Sequence, residues 1–260
     1  MSTPVTKPYV PSNRKSDAPY TIEYEPALIE EAVLLAVKDR PEEVIFRRER
    51  NPIYEIRDDE RREIRFGELH RAWFERLGLP QPILRALSER PMLATATKRC
   101  FVARASRRKD ETAELFVSPE YGNEKTGELP SIGIMLRPVS FLDGDVLLDL
   151  LRHEFLHIVD MLDPTFHYTP AFSLDEDALV PETAIQERYR ALWDASIDGR
   201  LVRERLVSPS RRARRLADFA KTFGILGTHT EEAFSYLFDR SGHTHPQLVA
   251  FARTPRKMLR

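Results

Sequence analysis

Between Asp143 and Pro164 the chain reads GDVLLDLLRHEFLHIVDMLD, and a helix drawn through it is apolar on nearly every side: Val146, Leu147, Leu148, Leu150, Leu151, Phe155, Leu156, Ile158, Val159, Met161 and Leu162. A helix without a polar face is buried, so this segment is an interior element around which the rest of the chain must pack. Asp143 suits the cap at its start, and Pro164 forbids its continuation. One polar stripe crosses it, Asp149, His153, His157 and Asp160, at spacings of 4, 4 and 3. Buried imidazoles and carboxylates need partners. A metal ion with carboxylates hydrogen-bonded to its ligands supplies them. A metal-free His/Asp network supplies them too, and is the alternative.

Within the stripe, His153-Glu154-Phe155-Leu156-His157 has two histidines one helical turn apart and a glutamate after the first. At that spacing both imidazoles reach one tetrahedral Zn²⁺, and the glutamate lies beside the ion, where it can take a proton from water. For the third ligand two patterns compete. One continues along the chain to Asp163, but Asp160 stands where that pattern places a glycine. The other draws on a later helix, GTHTEEAFSYLFD (227–239). There Thr228 and Glu231 match a capping box, leaving Glu232 to face inward with Tyr236 one turn on. Glu232 is the favoured ligand, and Glu231 and Asp163 are the alternatives.

HEFLHIVDMLD followed by EEAFSYLFD resembles the gluzincin metallopeptidases. It is most similar to their small bacterial Mlc-titration-factor type, whose motif His-Glu-Phe-x-His-x-x-Asp is matched by His153, Glu154, Phe155, His157 and Asp160. The similar region runs over roughly 95–250. The resemblance implies a zincin-like α+β core, Zn²⁺ on His153, His157 and Glu232, and peptide-bond hydrolysis with Glu154 as general base. A donor to the oxyanion is then required. Tyr236 is the residue assigned to it, with His229, His167, Tyr168 and His243 as other candidates. Extended substrates add to a sheet edge by backbone pairing, and SIGIMLR (131–137) is the expected edge. A zinc amidase on the same scaffold, or a catalytically idle binding module using residues 21–90, are the alternative functions.

The rest of the chain reads as strands followed by helices, hence α+β. Residues 1–20 are a Pro/Ser-rich tail expected to be disordered. Residues 21–92 form a helical region, with helices at 25–40, 66–79 and 81–91 and an unassigned charged stretch at 46–66. A catalytic domain spans 93–260. In it 98–105 and 113–119 are strand-like and expected to form an antiparallel hairpin, 129–138 is a third strand, and helices follow at 183–199, 210–224, 230–240 and 246–253. The long loop 164–182 is expected to act as a lid or specificity loop. His243 and His245 form a second histidine pair, read as an ordinary loop feature beside Pro246.

Composition narrows the functions. The 260 residues carry a formal net charge of -1, so no global field draws the chain to nucleic acid or an anionic membrane. The basic runs at 104–110 and 208–215 are read as solvated turns and helix faces. The single cysteine, Cys100, allows no internal disulfide and lies in a strand-like segment, as a packed core thiol. The N-terminus lacks an apolar signal core, and no stretch approaches the roughly 18 apolar residues of a membrane span. A cytoplasmic protein acting on peptide or protein, with no nucleic-acid or membrane partner, is the expectation.

Overall fold

The structure, a computed structural model, describes residues 20–116, 129–170 and 181–259. The N-terminal tail, the end of the strand expected to reach 119 and most of the expected lid loop lie outside the described residues. The chain is α+β and mostly helical, with one four-stranded mixed sheet. Its described residues divide into two units, one up to Phe155 and one from Leu156 onward. The division falls inside a single continuous helix.

The first unit holds β1 (Thr21–Tyr24), α1 (Pro26–Val37), α2 (Glu42–Arg50), α3 (Asp59–Arg76), α4 (Gln81–Ser88), α5 (Pro91–Ala96), β2 (Arg99–Arg104), β3 (Thr112–Phe116) and β4 (Ser131–Leu136). The charged stretch left open in the sequence resolves into α2, a 3-10 turn at Asn51–Glu55 and the start of α3. Asp58 caps α3 by accepting from the Arg61 backbone N–H at 2.7 Å. Residues 21–92 are therefore not purely helical: β1 lies parallel to β2 in the sheet.

Strand order is β1-β2-β4-β3, with β1, β2 and β4 parallel and β3 antiparallel to β4. This corrects two expectations. β2 and β3 do not form a hairpin, because β4 lies between them. And β4 is not an edge; among the described residues the edges are β1 and β3. The physical reason is in the side chains. SIGIML is a nearly continuous apolar run, as suits a strand paired on both sides, whereas β3 carries Glu114 and belongs where one side is open. Local alternation identifies strands but not their neighbours.

Cys100 and Val102 of β2 and Ile132, Ile134 and Leu136 of β4 point into the core, while Arg99 and Phe101 face out. Burial pushes the Cys100 thiol up to about 12, so it is an inert core group. On the outer face Gly133 is covered by the Phe116 ring; a Cβ there would lie 2.2 Å from Phe116 Cε2. His70 is buried between the rings of Phe46 and Phe66, at 5.9 and 6.2 Å.

The interior helix is α6 (Gly144–Leu162), and it crosses the division. Asp143 caps it as expected, accepting from the Val146 N–H at 3.1 Å. The second unit continues with α7 (Glu182–Arg203), α8 (Arg211–Phe223), α9 (Thr230–Phe238) and α10 (His245–Arg253). Their core includes Trp193, Ile197, Phe219, Phe223, Phe234 and Leu237. The basic run at 208–215 is not a solvated face. Arg211 and Arg215 pair with Asp198, and Arg212 with Asp239 and Ser235 Oγ. No helix among the described residues is long and apolar enough to cross a membrane.

Burial lowers the pKa of His70, His243 and His245 from 6.5. A histidine whose folded pKa is depressed is held neutral, so its contribution is complete above 6.5 and is lost as pH falls from there toward the folded value. Thermal melts from pH 7.5 to 5 are therefore expected to show a steady fall in midpoint, shallower in His70→Phe. A flat profile over that range would contradict the burial assigned to these rings.

Candidate functional site

His153 and His157 lie one turn apart on α6, and both are largely covered. His157 Nε2 is 3.2 Å from Asp194 Oδ1 on α7, and the edge of the Trp193 ring system packs against the imidazole at 4.4 Å. One ligand atom each from His153, His157 and Asp194 lie within 4.8 Å of one another. Donors around a tetrahedral ion bound at about 2.0–2.1 Å sit roughly 3.3 Å apart. The His157–Asp194 pair already has that separation. The two-imidazole, one-carboxylate set fits zinc and also other divalent transition ions.

The acid that the structure groups with the two histidines is Asp194, and Glu232 is not in that group. Glu232 is 65% exposed and pairs with His229 Nδ1 at 3.1 Å. The reason is the start of α9. The expected capping box is not formed: His229 is the N-cap residue, without a side-chain cap, and the Thr230 hydroxyl donates to Gly227 O at 2.8 Å. That start turns both Glu231 and Glu232 to solvent. Asp163 is not in that group either; its Oδ1 accepts from the Thr165 N–H and hydroxyl, both at 2.8 Å. Tyr236 is not brought to the histidines either. It packs against His243 and Phe251 with the Arg240 guanidinium over its ring.

The rest of the polar stripe is structural. Asp160, 4% exposed, accepts from Trp193 Nε1 at 2.7 Å and from both terminal nitrogens of Arg200 at 2.7 and 2.6 Å. It therefore fixes the tryptophan that flanks His157. Asp149 lies 3.8 Å from Arg152, whose main partner is Glu89 at 2.5 Å. The Arg152 hydrogen bond holds the Glu89 carboxyl below its ordinary range.

Glu154 turns to the edge strand. Its carboxylate accepts from the Thr112 hydroxyl at 3.1 Å and, at 3.4 Å, from the Ala113 backbone N–H. The base candidate and the outward-facing backbone of β3 are thus in direct contact. Among the other oxyanion candidates, His229 is engaged by Glu232 and His167 is exposed in left-handed backbone. Tyr168 packs on Trp193 with ring centroids 5.8 Å apart. His243 and His245 do not pair. His245 is hydrogen-bonded with the Tyr189 hydroxyl at 2.7 Å and the Thr169 hydroxyl at 3.2 Å.

Asp194 is not an isolated acid. Arg215 donates to its Oδ2 at 3.0 Å and to Asp198 Oδ2 at 2.7 Å, and Asp198 is 1% exposed. The sequence held a signal for this: Asp194 and Asp198 on α7, and Arg211 and Arg215 on α8, share a four-residue spacing. Two helices carrying complementary charges at the same period pair face to face.

Compared with family models, curated proteins and solved structures, the chain matches none of them.

Proposed function

We propose that this chain is a metal-dependent hydrolase of peptide bonds, with a divalent ion, zinc first, held by His153, His157 and Asp194. The observation that carries the reading is the convergence of those three side chains beside Glu154. A bound divalent ion supplies Lewis acidity toward a carbonyl oxygen and lowers the pKa of water. Glu154 takes the proton of the attacking water and passes it to the leaving amine. Thr112 and Ala113 orient its carboxylate beforehand. The open side of β3 takes an extended substrate by backbone pairing, which sets a peptide next to the base. A zincin-like core belongs to the same proposal, supported by a mixed sheet with an antiparallel edge strand against the HEFLH helix.

One observation favours a second reading, a metal-free polar network: Arg215 already compensates the charge of Asp194. Metal analysis separates the two. The hydrolase reading expects about one zinc per chain, held by three protein ligands with the fourth position open. The ion should be retained in Glu154→Gln and Glu232→Gln and lost or weakened in Asp194→Asn, and casein cleavage should be abolished in Glu154→Gln. Wild-type protein that takes up no divalent ion, with a melting temperature unmoved by zinc or chelator, would leave the network reading standing.

A further inference from the structure

The 3-10 turn at 51–55 and helix α3 enclose two adjoining cavities of about 500 and 580 Å³, which share Ile56 and Arg65 and so form one open groove. Both walls change character in the same direction. Along α3 the lining runs Arg61, Arg65, Leu69, Ala72, a single helical stripe. Along the facing segment it runs Arg57, Ile56, Ile53, Pro52. One end therefore presents three guanidiniums against a single carboxylate, Asp58, which is occupied in capping α3. The other end is apolar and is lined by Glu49 and Glu68. Arg65 pairs with Glu68. Among the described residues, Arg57 and Arg61 have no side-chain hydrogen bond or ion pair. Both are exposed at the groove, so their guanidiniums are open to donate charge-assisted hydrogen bonds to an anion.

We propose that this groove is a docking site for a segment of a partner protein in which acidic residues adjoin apolar ones. The acids meet Arg57 and Arg61, and the apolar side chains lie over Ile56 and Leu69. Apolar Pro52, Ile53, Leu69 and Ala72 at the far end suit side chains of a peptide better than a polyanion such as nucleic acid, which would carry negative charge along the whole groove. The openness of the groove suits a peptide, whose backbone stays hydrated, better than a fatty acid, whose chain needs an enclosed channel.

The test uses the full chain and fluorescent hexapeptides: three aspartates then three leucines, the reverse order, and an alternating control. One of the two block peptides is expected to bind with a Kd in the range of about 1–100 µM. The alternating peptide should bind about tenfold more weakly. Binding should weaken about tenfold in Arg57→Glu/Arg61→Glu, by a smaller factor in Arg57→Gln/Arg61→Gln, and with rising salt. The glutamine pair decides the matter if the glutamate pair fails to fold. The proposal is overturned if neither block peptide binds, if the folded double variants bind as wild type does, or if an oligonucleotide or decanoate displaces the peptide at equal concentration. None of these outcomes depends on metal content, so this site and the hydrolase reading stand or fall separately.

Discussion

Gly199→Ala is expected to destabilise the chain by about 3 kcal/mol or more, lowering the melting midpoint on the order of 10 °C. Gly199 is buried near the C-terminal end of α7, where alanine would ordinarily be the better helix former. Here a Cβ would lie 2.0 Å from the Phe238 carbonyl oxygen and under 3.0 Å from its carbon and Cα. Those are backbone atoms at the end of α9 and cannot rotate away, so the two helices must separate. Separation would also strain the Arg203 guanidinium, which donates to the same carbonyl oxygen. The control is Gly67→Ala, inside α3, where nothing lies within 4 Å of the added carbon. That substitution is expected to stabilise by about 0.5–1 kcal/mol, since it only removes backbone freedom from the unfolded chain. Thermal and urea melts of the two variants should move in opposite directions. Equal small shifts would mean that α7 and α9 do not approach closely at Gly199.

The contrast shows what the sequence can and cannot say. Both glycines sit in helical patterns, and nothing in either pattern reveals which one a neighbouring backbone presses on. The same limit governed the site. The helix from 144 to 162, its cap at Asp143 and the pairing of His153 with His157 follow from local periodicity, and they were legible. That Asp194 rather than Glu232 lies beside those histidines was not, because it depends on which turn of a distant helix faces α6. The start of α9 is set by the Thr230 hydroxyl bonding back to Gly227, a contact that only the folded turn provides. The sheet repeats the lesson. Each of β2, β3 and β4 was recognisable from its composition, but their order is a matter of long-range pairing. A neighbour in sequence was mistaken for a neighbour in space.

Asp198→Ala carries the second large effect. Asp198 is 1% exposed, with one oxygen 2.7 Å from Arg215 Nε and the other 3.6 Å from Arg211 Nη1. Removing one partner of a buried ion pair strands the remaining charge, which costs about 3–5 kcal/mol. Asp198→Ala combined with Arg215→Met should recover part of that loss, because the guanidinium left with Asp194 as its carboxylate partner goes too. Recovery of stability in the double variant, read as a coupling energy from urea melts, would establish the pair as buried; a cost of Asp198→Ala below about 0.5 kcal/mol would instead mark it as solvated. Metal binding adds a second readout. With Asp198 gone, Arg215 keeps only Asp194 and holds that carboxylate more tightly. If Asp194 is the third ligand, zinc affinity should fall in Asp198→Ala and return in the double variant. Under the metal-free reading the stability changes would appear alone, so the same pair of variants weighs the network against the metal site it adjoins.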